Sequence, residues 1–349
     1  MSATAHKTLY RQYRPHAFKE VRGQDHIVTV LEAAVKNKKP AHAYLFIGTR
    51  GTGKTSVARI LARELGVSDK DLYEMDAASH TGVDNIRELR EGVNVMPFDS
   101  PYKFYIIDEA HMLSKGAWNA FLKTLEEPPA HAIFVLATTE RDKVPDTIQS
   151  RCEVYTFKQP SRDVLAQVIS DVAKKEGSAM ERGAAELVAM LADGSFRDAL
   201  SILQKVLTIS ADKKVSVNEV MSVTGIPHSE VVRQILGSIA HRDAAAALAA
   251  LQGPIQNNAD MRVLTKLLIQ RLRIALLLRY APEIAESMSG ELSVEDMAFV
   301  QGLAKLPSVN SDMLRALLDA YSTMTYAAVP HLPLELAVID ICGKGEKSA

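Results

Sequence analysis

Tyr44-Leu45-Phe46-Ile47-Gly48-Thr49-Arg50-Gly51-Thr52-Gly53-Lys54-Thr55-Ser56 decides the fold of this chain. Four apolar residues, read as the end of a buried strand, run into a glycine-rich loop. Beyond the loop, Val57, Ile60, Leu61 and Leu65 repeat at helical spacing. Strand, G-x-x-x-x-G-K-[ST] and helix in that order make a phosphate-binding loop. The glycines let backbone N–H groups close around a β-phosphate, and the helix N-terminus adds positive potential. Lys54 neutralises the β- and γ-oxygens, and Thr55 offers a hydroxyl to Mg²⁺. Gly48, Arg50, Gly51, Thr52, Gly53, Lys54, Thr55 and Ser56 are therefore expected to hold a nucleoside triphosphate.

The rest of the composition narrows the class. A chain of 349 residues with 47% apolar and 24% charged content reads as a soluble globular protein of two or three domains. Its formal net charge of −1 provides no global field for nucleic acid, so any DNA contact must be local or supplied by partners. Cys152 and Cys342 are too few for a disulfide framework or a zinc site, which fits a reducing cytoplasm. No apolar run approaches the roughly 18 residues that would span a bilayer, and no membrane partner is expected.

Up to about residue 160, short apolar runs alternate with helical patterns, as in a parallel sheet flanked by helices. Strands are expected over residues 43–47, 72–76, 103–107, 133–137 and 154–157. The intervening helices are expected over 24–36, 54–65, 83–93, 114–126 and 144–150. Trp118, Phe121, Leu122 and Leu125 read as the core face of one of them. From Gln159-Pro160 onward strand signals nearly vanish. The expected division is a nucleotide-binding domain over 1–159, a helical lid over 160–215, an all-helical domain over 216–343 and a disordered tail over 344–349. Within the third part, the long apolar face of residues 263–280 looks suited to packing against other subunits.

Several strand ends deliver groups useful for hydrolysing a triphosphate. Phe104-Tyr105-Ile106-Ile107 leads to Asp108-Glu109, an acidic pair in which Asp108 holds the Mg²⁺ shell and Glu109 polarises the attacking water. Phe134-Val135-Leu136-Ala137 leads to Thr138-Thr139, either a turn or a hydroxyl that senses the γ-phosphate. Arg151 closes a helix, where it satisfies the macrodipole or reaches a neighbouring subunit's γ-phosphate. Arg197 stands near a helix N-terminus, where its charge opposes the dipole and calls for a partner such as Asp198 or a phosphate. His111 has no second histidine one helical turn away, so a zinc reading of it is weak.

These segments resemble one family in detail. Tyr13-Arg14-Pro15, Phe18, Val21-Arg22-Gly23-Gln24, the loop GTRGTGKTSVAR, Asp76-Ala77-Ala78-Ser79, DEAHMLSKGAWNAFLKTLEEPP, LATTERDKVPDTIQSRC and GSFRDALS are similar to the gamma/tau subunits of the bacterial DNA polymerase III clamp loader, which are AAA+ ATPases. The likeness is dense over residues 9–208 and thinner beyond, where Pro333-Leu334-Glu335-Leu336 is similar to the family's collar. It implies an α/β, AAA+ P-loop fold with a parallel five-stranded sheet, followed by all-α lid and collar domains.

The resemblance also assigns roles. It implies ATP and Mg²⁺ as cofactors, Lys54 and Thr55 as the Walker A pair, Asp108 and Glu109 as Walker B, and Thr139 or its neighbour Thr138 as the first sensor. Arg151 becomes a finger acting on the adjacent subunit and Arg197 the lid's sensor, with Tyr13 and Val21 at the adenine. Metal contact falls to Thr55 and Asp108. Implied partners are the delta and delta-prime subunits, further gamma/tau copies, the sliding clamp and primed DNA, the last gripped near residues 79–85 through phosphates.

One departure stands out. Family members usually carry a four-cysteine zinc module after the P-loop helix, whereas here Leu65 runs through Gly66-Val67-Ser68-Asp69-Lys70 directly to Asp71-Leu72, so no zinc is expected. Two other readings remain in view. A non-hydrolysing loader scaffold is disfavoured by the intact loop and acidic pair. A branch-migration helicase is disfavoured by the helical pattern at the C-terminal end, where such a motor carries a winged helix.

Overall fold

Strand β1, Ala43–Ile47, is buried along its whole length, as a continuous apolar run in the middle of a parallel sheet must be. The computed structural model describes residues 8–79, 86, 89, 91–210, 213–225, 229–284 and 294–343. The tail 344–349 and residues 80–85 of the expected phosphate-gripping stretch 79–85 lie outside the described residues, as does the start of the helix expected over 83–93. That helix is seen at residues 86, 89 and 91–93. Contacts divide the chain into two compact units, Met1–Ser178 with Val188–Gln204, and Ala179–Leu187 with Lys205–Ala349.

In the first unit, β2 (Leu72–Asp76), β3 (Lys103–Asp108), β4 (Ala132–Thr138) and β5 (Glu153–Thr156) join β1 in an all-parallel sheet of order β2-β3-β4-β1-β5. Side chains alternate across it. Tyr44, Phe46, Phe104, Ile106 and Val135 meet the helices Asp25–Lys36 and Lys54–Glu64 through Ile27, Leu31, Val57, Ile60 and Leu61. Leu45, Ile107, Phe134 and Leu136 meet Trp118, Phe121 and Leu125 of the helix Lys115–Glu126. Phe121 stands edge-on to Phe134 at 5.2 Å. The two aromatic residues expected in the core are there.

Four sequence-based elements change their bounds for visible reasons. β3 reaches Asp108 and β4 reaches Thr138 because Asp76 and Ile47 pair with them in the ladders. β5 begins at Glu153 and ends at Thr156, one residue early at each end, paired along Tyr44–Ile47. The helix expected over 144–150 shortens to Asp146–Gln149, since Pro145 holds Val144 in an extended conformation, φ −86° and ψ 124°.

Where the resemblance leads one to expect a zinc module, the described chain closes on itself. Gly66, at φ 77°, ends the helix Lys54–Glu64, with Val67 N–H donating to Ala62 O at 3.0 Å and Gly66 N–H to Arg63 O at 2.9 Å. Asp71, fully buried, then accepts from Phe98 N–H at 2.6 Å, Asp99 N–H at 3.0 Å and the Ser68 hydroxyl at 3.4 Å. Burial works against its charge, but these donors outweigh burial and hold the carboxyl below the usual range.

Asp71→Asn is therefore expected to cost about 2–3 kcal/mol in urea unfolding at neutral pH, the scale for charge-assisted bonds in a buried site. Because the folded pKa is depressed, this stabilisation is present above the unfolded carboxyl value, roughly 4, and disappears as pH falls through the lower folded value. The wild-type chain should lose its advantage over the variant across that acid window. Equal stabilities at neutral pH would remove Asp71 as the closing group.

Among its described residues the second unit is helical apart from a parallel pair of two-residue strands, β6 (Ala179–Met180) and β7 (Lys214–Val215), too short to leave a periodic signal. Ser229–Ala240 packs on Ala244–Gln256, Ser311–Thr323 on Leu332–Gly343, and Met261–Tyr280 contacts Ser229–Ala240, Val294–Lys305 and Ser311–Thr323. The apolar face read as an intersubunit surface is corrected here. Leu264, Leu267, Leu268, Leu272, Ile274 and Ala275 of Met261–Tyr280 are buried inside their own unit. The same helix buries Arg271, whose guanidinium meets Asp296 at 2.8 Å and Ser229 Oγ at 3.1 Å, while Arg233 reaches the other Asp296 oxygen at 2.8 Å.

Candidate nucleotide site

With β4 inserted between β1 and β3, their carboxyl ends lie side by side and bring the phosphate loop, Thr138-Thr139 and Asp108-Glu109 to one edge of the sheet. Gly48 N–H donates to Thr138 O at 3.1 Å, tying the loop to β4. A β-carbon on Gly48 would fall 2.8 Å from the Phe157 backbone oxygen, and one on Gly51, at φ 78°, would strike Ser195. Gly51 O accepts from Phe196 N–H at 3.0 Å, so the loop also holds the start of the helix Phe196–Ile209.

Lys54 begins the helix Lys54–Glu64 behind Gly53, whose φ is 105°. Its ammonium, almost wholly buried, donates to Gly48 O at 2.6 Å and Thr49 O at 3.0 Å. Burial lowers its pKa, and the charges of Asp108 and Glu109 oppose that shift without cancelling it. Thr52 is buried and closes the loop by donating to Thr49 O at 2.9 Å. Arg50 is exposed.

Thr55 donates its hydroxyl to Asp108 Oδ2 at 2.7 Å, and Asp108 Oδ1 accepts from Glu109 N–H at 3.0 Å. A hydroxyl and a carboxylate held together as hard oxygen donors, beside a phosphate loop, are the protein's usual share of an Mg²⁺ shell. Glu109 has a left-handed backbone, φ 49° and ψ 42°, a strained state for a non-glycine residue that surrounding structure must enforce. Thr139 Oγ1 lies 3.5 Å from Glu109 Oε2, whereas the buried Thr138 hydroxyl is occupied locally, accepting from Glu140 N–H at 3.0 Å and donating to Glu140 O at 3.2 Å.

The arginines separate. Arg197 is exposed and lies over the Tyr10 ring at 5.0 Å. Arg151 donates to Glu126 at 2.7 Å and to Thr147 O at 2.6 Å, at the end of the helix Asp146–Gln149. Sequence reading gave Arg14 no role, yet it donates to Ser56 Oγ at 2.9 Å. Its pKa is lowered, by burial first and then by Arg59, with Asp108 and Arg197 also within electrostatic reach. The signal was present in Tyr13-Arg14-Pro15, but nothing local to that tripeptide names Ser56 as its partner.

Tyr13 donates to Glu176 at 2.6 Å, and burial with that carboxylate pushes its phenol up to about 12. Val21 is partly buried against the core. Close by in sequence, Gln24 is fully buried and clamps residue 158, donating to Lys158 O at 2.7 Å and accepting from Lys158 N–H at 3.1 Å. The Tyr13–Gln24 segment is thereby fastened beside the end of β5. Cys152 is partly buried, and burial pushes its thiol up to about 12, which disfavours the thiolate.

Known proteins resemble this chain over much of its length. The family described as DNA polymerase III, delta subunit, matches residues 67–161, and that of the DNA polymerase III clamp loader subunit ATPase lid domain matches residues 165–212. DNA polymerase III subunit tau of Bacillus subtilis is 36% identical over 99% of this chain and 65% of its own length. The gamma/tau subunit of Mycobacterium tuberculosis is 37% identical over 79% of this chain and 52% of its own. The tau subunit of Escherichia coli is 40% identical over 63% and 38%. The chain thus spans 65% of the first of these relatives and 52% of the second. Among solved structures, the RuvB Holliday junction branch migration motor of Thermotoga maritima matches 65% of this chain and 79% of its own at TM-score 0.53 and 24% identity, a likeness of fold.

Proposed function

The chain belongs to the gamma/tau family of DNA polymerase III clamp-loader subunits, AAA+ ATPases, and from that premise we propose that it binds and hydrolyses ATP to open a sliding clamp, load it on primed DNA and release it. The observation that carries the reading is the bridge from Thr55 to Asp108 at 2.7 Å, with Lys54 buried behind it and Glu109 next to it. Phosphate cradle, metal donors and water-polarising carboxylate converge at one edge of one sheet.

In this reading the backbone of Gly48–Thr55 and the Lys54 ammonium bind the β- and γ-phosphates, and Tyr13 and Val21 flank the base. Thr55 and Asp108 hold Mg²⁺, which supplies charge neutralisation on the phosphate oxygens. Glu109 orients the attacking water and Thr139 senses the γ-phosphate; the occupied Thr138 hydroxyl supports that choice between the two. Arg197 reads the γ-phosphate in the same protomer, and Arg151 completes the site of the next one. Residues 1–159 form the nucleotide-binding domain, 160–215 the lid and 216–343 the collar that joins delta, delta-prime and further gamma/tau copies.

One other reading loses ground. The delta-subunit match begins at residue 67, after the phosphate loop, so it does not argue for a degraded, non-hydrolysing site. Among the described residues no helix is long and apolar enough to cross a membrane.

The test is transfer of a sliding clamp onto primed circular DNA by the reconstituted complex. Loading is expected only with this chain and ATP present. Unwinding of a branched duplex without a clamp, and no loading, would favour a branch-migration motor instead.

A further inference from the structure

One buried imidazole in the site has no role in the scheme above. His111 follows the acidic pair in the short 3-10 turn Ala110–Met112, and its side chain is 8% exposed. Polar groups rather than apolar ones surround its nitrogens. Nδ1 lies 3.1 Å from Thr138 Oγ1 and 3.6 Å from Glu109 Oε2, and Nε2 lies 3.3 Å from Glu140 Oε1. We infer that His111 is a positioning residue for ATP hydrolysis, holding the Glu109 carboxylate and the Thr138–Glu140 turn at a fixed separation. The inference rests on the hydrolytic reading of the site.

Hydrogen-bond bookkeeping fixes the direction of the link. The Thr138 hydroxyl already accepts from Glu140 N–H and donates to Glu140 O. Its remaining lone pair can only receive a proton, which assigns an N–H to His111 Nδ1. The same N–H faces Glu109 Oε2 at 3.6 Å, beyond full hydrogen-bond distance. On the other side of the ring, Glu140 is anchored by Lys143 at 2.9 Å, and that lysine first of all keeps its carboxyl below the usual range. His111 therefore donates to Thr138 and packs against Glu140, the residues on both sides of Thr139 in the chain, while lying beside Glu109. It ties the end of β3 to the end of β4 at the point where the attacking water must be held.

The geometry matters because the Glu109 backbone is strained and its carboxylate has few other restraints among the described residues: the Thr139 hydroxyl at 3.5 Å is a weak one. A carboxylate free to swing loses near-attack alignment, and displacements of about 1 Å cost up to roughly a hundredfold in rate. Nucleotide affinity is unaffected by such a change, since the phosphates are held by the loop and by Lys54.

His111→Asn, His111→Gln and His111→Ala separate this role from simple packing. Asn keeps a donor at the Nδ1 position, Gln moves it to the Nε2 position, and Ala removes both. Turnover is measured in the assembled complex with clamp and primed DNA, affinity with a fluorescent ATP analogue, and folding by the thermal midpoint. Gln and Ala are expected to lower kcat about ten- to hundredfold with KM and affinity changed less than about twofold, and Asn to retain most of kcat. Equal kcat for Asn and Gln, or losses in affinity instead of kcat, would overturn the inference. The Asn–Gln comparison decides even where Ala unfolds the chain. A wild-type complex that does not turn over ATP would overturn the hydrolytic reading, and this inference with it.

Discussion

Lys54→Ala is expected to abolish measurable ATP binding and turnover while leaving the nucleotide-free chain close to wild-type stability. The pairing of those outcomes follows from the environment of the ammonium. Burial depresses its pKa against the pull of Asp108 and Glu109, so the folded chain binds that proton more weakly than the unfolded chain does. Below the folded pKa the charged lysine therefore subtracts from stability, and the penalty is relieved as pH rises through that value. Its bonds to Gly48 O and Thr49 O recover only part of the cost. A triphosphate repays the remainder, because a charge-assisted bond to phosphate is strong where water is scarce. In thermal unfolding, wild type at ATP a hundredfold above Kd should gain about 2.7 kcal/mol, and the variant nothing. A variant that is still stabilised by ATP would mean that phosphate binds elsewhere.

The parts of this site that were legible in sequence are those whose partners are adjacent in the chain or repeat with a period. Gly48–Thr55 announces itself because loop, strand and helix are contiguous, and Asp108-Glu109 because four apolar residues lead into it. Trp118 and Phe121 follow from helical spacing alone. His111 escaped because its partners Thr138 and Glu140 lie on a different strand exit, brought beside it only by the β3–β4 ladder. Arg14 with Ser56, Gln24 with Lys158 and Asp71 with Phe98 are hidden for the same reason: each is a polar bond across the fold, with no pattern to advertise it. The face of Met261–Tyr280 was misread for a different cause. Apolar periodicity says that a face is covered, not whether its cover is the same chain or another.

Arg151→Ala sets two magnitudes against each other. If Arg151 only closes its helix, its worth is that of a surface pair with Glu126 and a bond to Thr147 O, both partly exposed. That is about 1 kcal/mol of stability, with no effect on turnover. If it is lent to the neighbouring protomer's γ-phosphate, stability should barely change while clamp- and DNA-stimulated turnover falls roughly 10³-fold or more, about 4 kcal/mol in the barrier. ATP affinity should stay near wild type, since the finger acts on charge that develops in the transition state. Mixing decides where the arginine works. A protomer carrying Arg151→Ala still offers an intact loop, and one carrying Lys54→Ala still offers an intact arginine. Where these two stand side by side in the right order, one complete site is restored. Complexes assembled from both variants should regain a fraction of stimulated turnover that neither shows alone. An inactive mixture of well-assembled complexes would confine Arg151 to its own subunit.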